Sequence, residues 1–154
     1  MKKLLSTLLL LISFIGFTQA QTQLIGKWTV VNGNGTPVSL DKQAGEIWYF
    51  YDYTENGVLS VIDEYGDETQ IKGTGTLMGK FHGEPMTGLW HYEGGKILAI
   101  YTIDLMKILG ANYEYRATVS FEQSLLVLDG TLCTNMGDGC KNSSPLKMKL
   151  KKVK

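Results

Sequence analysis

The sequence has little net charge, few cysteines and histidines, and one long apolar run. Lys and Arg together number 15, as do Asp and Glu. Without Lys2 and Lys3, which belong to the leader described below, 13 basic residues face 15 acidic ones, a net charge of about −2. Proteins that bind nucleic acid or an anionic membrane carry a basic excess, which this chain lacks. We therefore expect no nucleic-acid partner.

Motifs for catalysis and nucleotide binding are also missing. No Gly-x-Ser-x-Gly nucleophile elbow occurs in the chain. The Gly-rich run 73–80 resembles a phosphate-binding loop, but Phe81 stands where a Ser or Thr should bind Mg²⁺. We expect no catalytic residues, no cofactor and a protein that is not an enzyme. The enzymatic alternative is a Tyr or Glu acting as acid or base inside a cavity.

The two histidines each precede a glutamate by two positions, as His82 with Glu84 and His91 with Glu93. Residues two apart share one face of a strand, so each pair has the spacing to hold a metal such as zinc. However, His82 falls in a predicted loop, and His91 has the opposite parity to Trp90, which favours a solvent-facing ring. We therefore expect no metal site.

The chain begins with three features in order: the basic residues Lys2 and Lys3, an apolar run at 4–17, and Thr-Gln-Ala at 18–20. This pattern predicts a secretory signal peptide at 1–20 and a mature domain at 21–154. The apolar run is about 14 residues long, shorter than the ~20 that span a bilayer, and no second run follows. We expect a soluble exported protein, periplasmic or secreted, with no membrane span.

Cys133 and Cys140 are expected to form a disulfide, because exported cysteines pair by default. Closing so short a loop contributes roughly 2.5 kcal/mol on the chain-entropy model. The alternative is a metal-binding or redox pair, for which the sequence offers neither a CxxC motif nor a nearby His.

Short stretches of alternating or aromatic residues, separated by Gly-rich turns, predict an all-β chain. Asn56-Gly57 is expected to form a hairpin turn, because Asn-Gly suits positive φ angles. The predicted strands number eight or nine and cover 24–31, 46–53, 58–63, 70–78, 87–92, 96–103, 112–120, 125–128 and 145–153.

One segment, 104–110, has apolar residues at helical spacing, with Asp104 to cap its start and Gly110 to end it. The pattern is compatible with a helical turn that acts as a lid, or with a strand extension that contains a bulge.

Several motifs in this order resemble the lipocalin-like domains of exported bacterial proteins. They are Gly26-x-Trp28, the aromatic strand ending in Tyr53-Thr-Glu-Asn-Gly57, Gly88-Leu-Trp90-x-Tyr92-x-Gly94 before 97–100, the strand 113–119, and Leu126-x-Leu128. The resemblance implies a single antiparallel up-and-down barrel of about eight strands, holding one small molecule or filled by side chains. Lipocalins also pack a late basic residue across the first-strand Trp. Here Arg116 has outward parity, so that role is lost or taken by a terminal lysine.

We expect one face of these strands to line the interior, so that a small apolar or amphipathic ligand would bind among its rings. The alternative is that the same rings fill the barrel as core, because eight strands leave little space. The interior set is Trp28, Trp48, Phe50, Trp90, Leu98, Ile100, Tyr113, Tyr115, Leu126 and Leu128.

Tyr49, Tyr51 and Tyr53 fall on the opposite face of the second strand. Exposed together, they would form an aromatic surface for a protein partner or a sugar ring. The alternative is that the segment 36–45 covers them. A structural or interaction module that works through this surface is therefore the second functional hypothesis.

Overall fold

The structure, a computed structural model, describes residues 21–31, 46–62, 67–81, 83–136, 139–140 and 143–154. Side chains are described throughout these ranges except at 53–56 and 62. The expected signal peptide at 1–20, the segment 36–45 and His82 lie outside the described residues.

Strands make up most of the described chain, as the alternating sequence predicts. After a helical stretch at 21–24, the described chain contains these elements in order: β1 Gly26–Val31, β2 Ile47–Ile62, β3 Glu68–Phe81, β4 Glu84–Glu93, β5 Lys96–Ile103, α1 Asp104–Ile108, β6 Asn112–Glu122, β7 Leu125–Asn135 and β8 Ser143–Lys152.

The eight strands form a closed barrel. Each strand pairs antiparallel with the next one, and β1 also pairs with β8, where Val30 lies opposite Leu150. Closure gives every strand a neighbour on both sides of its barrel part, whereas the far parts of β2 and β3, at 53–62 and 68–74, pair only with each other in the described ladders. The predicted antiparallel up-and-down barrel is confirmed.

One predicted turn is wrong. The backbone does not reverse at Asn56-Gly57; β2 continues through this dipeptide to Ile62. Its pairing with β3 shifts register between Phe50 and Tyr53 and again between Thr54 and Val58. An extra residue in one strand of a ladder is accommodated as a bulge, so a turn-forming dipeptide need not end the strand.

The segment after β5 is helical, which agrees with the predicted helical turn and not with the alternative of a strand extension. Asp104 lies in the first turn of α1 and pairs with Lys107 at 3.3 Å rather than capping the helix start. Gly110, with φ of 66°, follows the helix and donates its N–H to the Lys107 carbonyl at 3.1 Å. Among the described residues, no helix has the length and apolar character needed to cross a membrane.

The barrel has two ends, which differ in how they are closed. The end that contains the start of β1 and the β4–β5 and β6–β7 turns is called the lower end below. Leu24 is fully buried there, and the Trp28 indole N–H donates to its carbonyl at 2.8 Å. The Lys152 ammonium lies 5.2 Å from the centroid of the Trp28 ring. A terminal lysine thus occupies the position expected for the late basic residue.

The upper end carries the β3–β4, β5–β6 and β7–β8 connections. Helix α1 lies here, with Met106 buried, whereas Leu105, Ile108 and Leu109 are exposed. This end therefore carries exposed apolar side chains on and after α1. The end of β1 and the start of β2 also lie at the upper end, and the residues between them that the structure describes begin again only at Glu46.

A second, smaller hydrophobic cluster lies outside the barrel. Leu59 and Val61, from the far part of β2, are buried against Leu98 of β5. Leu98 has the opposite parity to Ala99, which belongs to the main core, so the β2–β3 hairpin covers the outer face of β5. This cover explains why β5 is apolar on both faces.

Candidate functional site

The barrel interior is an aromatic cluster, and the structure brings most of the predicted interior residues together in it. Tyr113 is half-buried and packs against the same cluster. The predicted residues that are fully or almost fully buried there are Trp28, Trp48, Phe50, Trp90, Tyr115, Leu126 and Leu128.

The expectation that Leu98 and Ile100 line the interior is wrong. Both pack in the outer cluster, on the face opposite to Trp90 and its cross-strand partner Ala99. Tyr101 therefore faces inward and is buried, a residue that the sequence reasoning missed. The run at 97–103 is apolar at nearly every position, so its alternation carried no signal for which face points inward.

Close packing of rings organises the upper part of the interior. The centroid of Tyr101 lies 5.3 Å from those of Trp48 and Phe81, and both pairs meet edge to face. Phe81 also meets Tyr113 at 5.2 Å. These four residues, Trp48, Phe81, Tyr101 and Tyr113, are called the upper cluster below. Edge-to-face contacts orient each ring, so the polar atoms at the ring edges have fixed directions.

Below the upper cluster, the buried aromatic side chains bond to the barrel's own backbone. The Trp90 indole N–H donates to the Tyr51 carbonyl at 3.0 Å. A Cβ on Gly75 would lie 2.2 Å from that indole nitrogen, so only glycine leaves room for the ring. The Tyr115 hydroxyl lies 3.0 Å from the Leu146 carbonyl and 3.1 Å from that of Leu128, and it can donate to either one.

In the upper cluster, two buried polar atoms make no such hydrogen bond to the described residues. Trp48 Nε1 and the Tyr101 hydroxyl have no hydrogen-bond partner among the residues that the structure describes. Leaving a buried donor unpaired costs about 1–3 kcal/mol. An indole N–H can only donate, and a phenol can donate, so the two groups are suited to an acceptor atom of another molecule.

Burial and a nearby acid keep the Tyr101 hydroxyl protonated. Burial is the main cause that raises the pKa of Tyr101 well above its ordinary value, and the Glu46 carboxylate raises this pKa further. Burial likewise raises the pKa of Tyr115. Tyr101 therefore stays a neutral donor at any physiological pH, beside a residue, Glu46, that is itself buried.

The predicted outer tyrosine surface is present in part. The rings of Tyr49 and Tyr51 stack with centroids 4.1 Å apart, and Tyr51 is 40% exposed. The side chain of Tyr53 lies outside the described residues. Two of the three tyrosines thus form a stacked pair on the outer wall.

His91 is more enclosed than its parity suggested. Its Nδ1 lies 2.9 Å from the Gly73 carbonyl, and Nε2 lies 3.7 Å from the exposed carboxylate of Glu93. The ring borders an outer groove of about 500 Å³, which Ile71, Leu98 and Arg116 also line. Sequence reasoning gave no signal for this groove, because it forms where the β2–β3 hairpin crosses the barrel wall.

The expected disulfide between Cys133 and Cys140 is present. It lies on the outside of the barrel near the upper end, where it links the end of β7 to the connection that leads to β8.

The fold and the site define a closed antiparallel barrel with an aromatic interior, in which two donors near the upper end have no partner among the described residues. Comparisons of the chain with protein-family models, with curated proteins and with solved structures found no match.

Proposed function

We propose that this protein binds a small amphipathic molecule in the upper part of its barrel, without catalysis. The observation that carries the proposal is the pair of buried donors, Trp48 Nε1 and the Tyr101 hydroxyl, which have no partner among the described residues. A ligand with an acceptor atom between them would recover the hydrogen bonds that folding left unmade. Its apolar part would pack against the surrounding rings, as in other ligand pockets.

The charge near the donors favours a neutral acceptor. Glu46 acts electrostatically on Tyr101, so a carboxylate ligand there would meet a like charge. A hydroxyl, ether or carbonyl oxygen would accept the same two hydrogen bonds without that repulsion. We therefore place neutral amphiphiles ahead of fatty acids as ligands, and we propose that they enter beside α1, whose Leu105 and Ile108 are exposed.

Retinol and retinoic acid test this proposal, because they share a polyene and differ in the charge of the head group. Saturable quenching of tryptophan fluorescence is expected with retinol, and binding at least tenfold weaker with retinoic acid. Replacing both donors, Trp48→Phe with Tyr101→Phe, removes two bonds worth about 0.5–1.5 kcal/mol each, so retinol affinity should fall roughly tenfold.

Tyr115→Phe is the matched control, because it removes a buried hydroxyl that is already bonded to the backbone. Retinol affinity should stay within about twofold of the parent protein, since that hydroxyl has no donor capacity to spare. If neither retinoid quenches saturably, or if Tyr115→Phe loses as much retinol affinity as the double variant, the site proposed here is wrong.

A second candidate is an interaction module that works through its outer wall, favoured by the stacked and partly exposed pair Tyr49 and Tyr51. Rigid aromatic pairs are common at binding surfaces because little entropy is lost on contact. Under this hypothesis, Tyr49→Ser with Tyr51→Ser abolishes capture of a partner while the barrel stays folded. Unchanged capture would count against it.

The setting we propose is an exported protein, periplasmic or secreted, of the lipocalin-like kind. The signal-peptide pattern at 1–20, the disulfide and the barrel topology support this setting. Disulfides persist in oxidising compartments, and barrels of eight strands are used to carry single small ligands. N-terminal sequencing of the mature protein tests it: a first residue other than Gln21 or a close neighbour would contradict the proposed cleavage.

A further inference from the structure

A buried carboxylate lies directly under the disulfide, outside the barrel interior. Glu114 of β6 is the cross-strand partner of Cys133 and has the opposite parity to the inward-facing Tyr115, so it points outward. Its side chain is nonetheless only 1% exposed. One carboxylate oxygen of Glu114 and the sulfurs of Cys133 and Cys140 all lie within 4.8 Å of one another.

The carboxylate is only half satisfied. Its Oε1 accepts a hydrogen bond from Arg116 Nε, but Oε2 is buried with no partner among the described residues. Two positions earlier on the same face, the buried Oδ1 of Asn112 also has no partner in that part of the chain. Both atoms are acceptors. The polar groups beside the disulfide therefore need a proton donor or a cation.

A disulfide cannot satisfy the Glu114 carboxylate, since neither sulfur carries a charge or donates a hydrogen bond. Two cysteine thiolates, in contrast, are metal ligands, and a carboxylate oxygen is a common companion ligand for zinc. We propose that Cys133 and Cys140, once reduced, form with Glu114 a site for a thiolate-binding divalent cation of the zinc type.

Charge supports this assignment. Two thiolates and the Glu114 carboxylate carry three negative charges, and a divalent cation with the Arg116 guanidinium supplies three positive ones. In the oxidised protein the Glu114 and Arg116 charges already cancel. The buried Glu114 carboxylate, the two sulfurs and the half-exposed Arg116 guanidinium are therefore neutral together in both states, which lowers the cost of burying the carboxylate.

The geometry needs little change of the backbone. The Cα atoms of the two cysteines are 5.8 Å apart. A tetrahedral zinc with Zn–S bonds of about 2.3 Å places its two sulfurs roughly 3.8 Å apart, which rotation of the side chains can supply. Cys140 is partly exposed, so a water molecule can reach the fourth position.

The reaction balances with a dithiol as reductant. The dithiol gives two electrons and two protons, its own sulfurs join as a disulfide, and the Cys133–Cys140 bond breaks into two thiols. Metal binding then releases those two protons to solvent and forms two sulfur–metal bonds and one oxygen–metal bond.

Cobalt(II) is the probe that tests the site, with the protein reduced by a phosphine, which has no thiol to bind the metal. Reduced protein should bind one cobalt ion and show sulfur-to-cobalt charge-transfer absorption in the near ultraviolet. Oxidised protein and the Cys133→Ser variant should show none. Glu114→Gln should raise the cobalt dissociation constant at least tenfold. Glu122→Gln, a control on the same strand whose exposed carboxylate pairs with Lys149, should leave it unchanged.

Near-ultraviolet circular dichroism of the reduced, metal-free protein and of each variant reports whether the barrel persists. Absence of the cobalt band in reduced protein that keeps this signal would overturn the proposal. So would equal affinities of the parent and Glu114→Gln, which would mean that the thiolates bind without the carboxylate. Loss of the signal on reduction would overturn it as well, because the site depends on the folded pairing of β6 with β7.

Discussion

The upper cluster and the rest of the aromatic interior contain the same kinds of side chain, but they differ in whether the polar atoms of those side chains are hydrogen-bonded. Trp90 and Tyr115 are buried, and each lies within hydrogen-bond distance of a backbone carbonyl oxygen. Trp48 and Tyr101 are buried to the same extent, and their polar atoms have no partner among the described residues. Burial does not separate the two groups, but hydrogen bonding does.

This difference separates structural aromatic residues from candidate ligand contacts. A buried donor bonded to the backbone ties its ring to the barrel wall and stabilises the fold. A buried donor without a partner lowers the stability of the fold. A bound molecule that accepts a hydrogen bond from this donor removes the cost. Substitutions that remove a polar atom but leave an aromatic ring in place therefore test the comparison directly.

The largest expected contrast is between the two tryptophans. Trp90→Phe removes the donor to the Tyr51 carbonyl, whereas Trp48→Phe removes a donor that has no described partner. Both changes shrink a buried ring by a similar volume. The free energy of unfolding should therefore fall by about 1–3 kcal/mol more for Trp90→Phe. Urea unfolding followed by circular dichroism measures it, and equal losses would remove the distinction between the two regions.

The tyrosine pair gives a smaller contrast with less change in volume. Tyr115→Phe should lower the free energy of unfolding by about 1 kcal/mol, and Tyr101→Phe should leave it unchanged or raise it. Measurements at pH 7 keep both hydroxyls neutral, because burial raises both pKa values. A loss in Tyr101→Phe as large as that in Tyr115→Phe would show that Tyr101 is bonded within the protein.

The same pKa shifts predict how this stability depends on pH. A group whose folded pKa is raised contributes stability that is present below its unfolded pKa, near 10, and that is lost as the pH rises above it. The parent protein should therefore lose stability in alkali, and Tyr115→Phe and Tyr101→Phe should each lose less. Thermal unfolding between pH 8 and 11 reports the slopes; parallel slopes in all three proteins would contradict the burial of these hydroxyls.

Much of the fold could be predicted from sequence, because each strand of an antiparallel barrel shows its own alternation of inward and outward residues. Alternation fixes the inward face wherever the outer face meets water, as at Tyr113 and Tyr115 of β6, where Glu114 and Arg116 mark the other side. The Gly-x-Trp of β1 fixed the direction of Trp28 in the same way. The disulfide followed from the expectation of export and from the cysteine count.

What failed depended on contacts between distant segments. β5 has no polar face because the β2–β3 hairpin covers it, so the sequence could not tell Tyr101 from Ile100. The expected turn at Asn56-Gly57 failed because register shifts let β2 continue through it. Glu114 shares the outward parity of Arg116, and nothing in the sequence of β6 indicates that the disulfide lies over it.

The smallest expected effect concerns the closed lower end, where the Lys152 ammonium lies over the Trp28 ring. Lys152→Met keeps an apolar stem on the ring and removes the charge, which should lower the free energy of unfolding by about 0.5–1 kcal/mol. Lys151→Met, on the adjacent exposed position, should change it by less. Retinol affinity should be unaffected by either variant, because both unpaired donors of the proposed site, Trp48 Nε1 and the Tyr101 hydroxyl, lie in the upper cluster. A fall in retinol affinity with Lys152→Met would place the ligand at the lower end and reverse the assignment of the two regions.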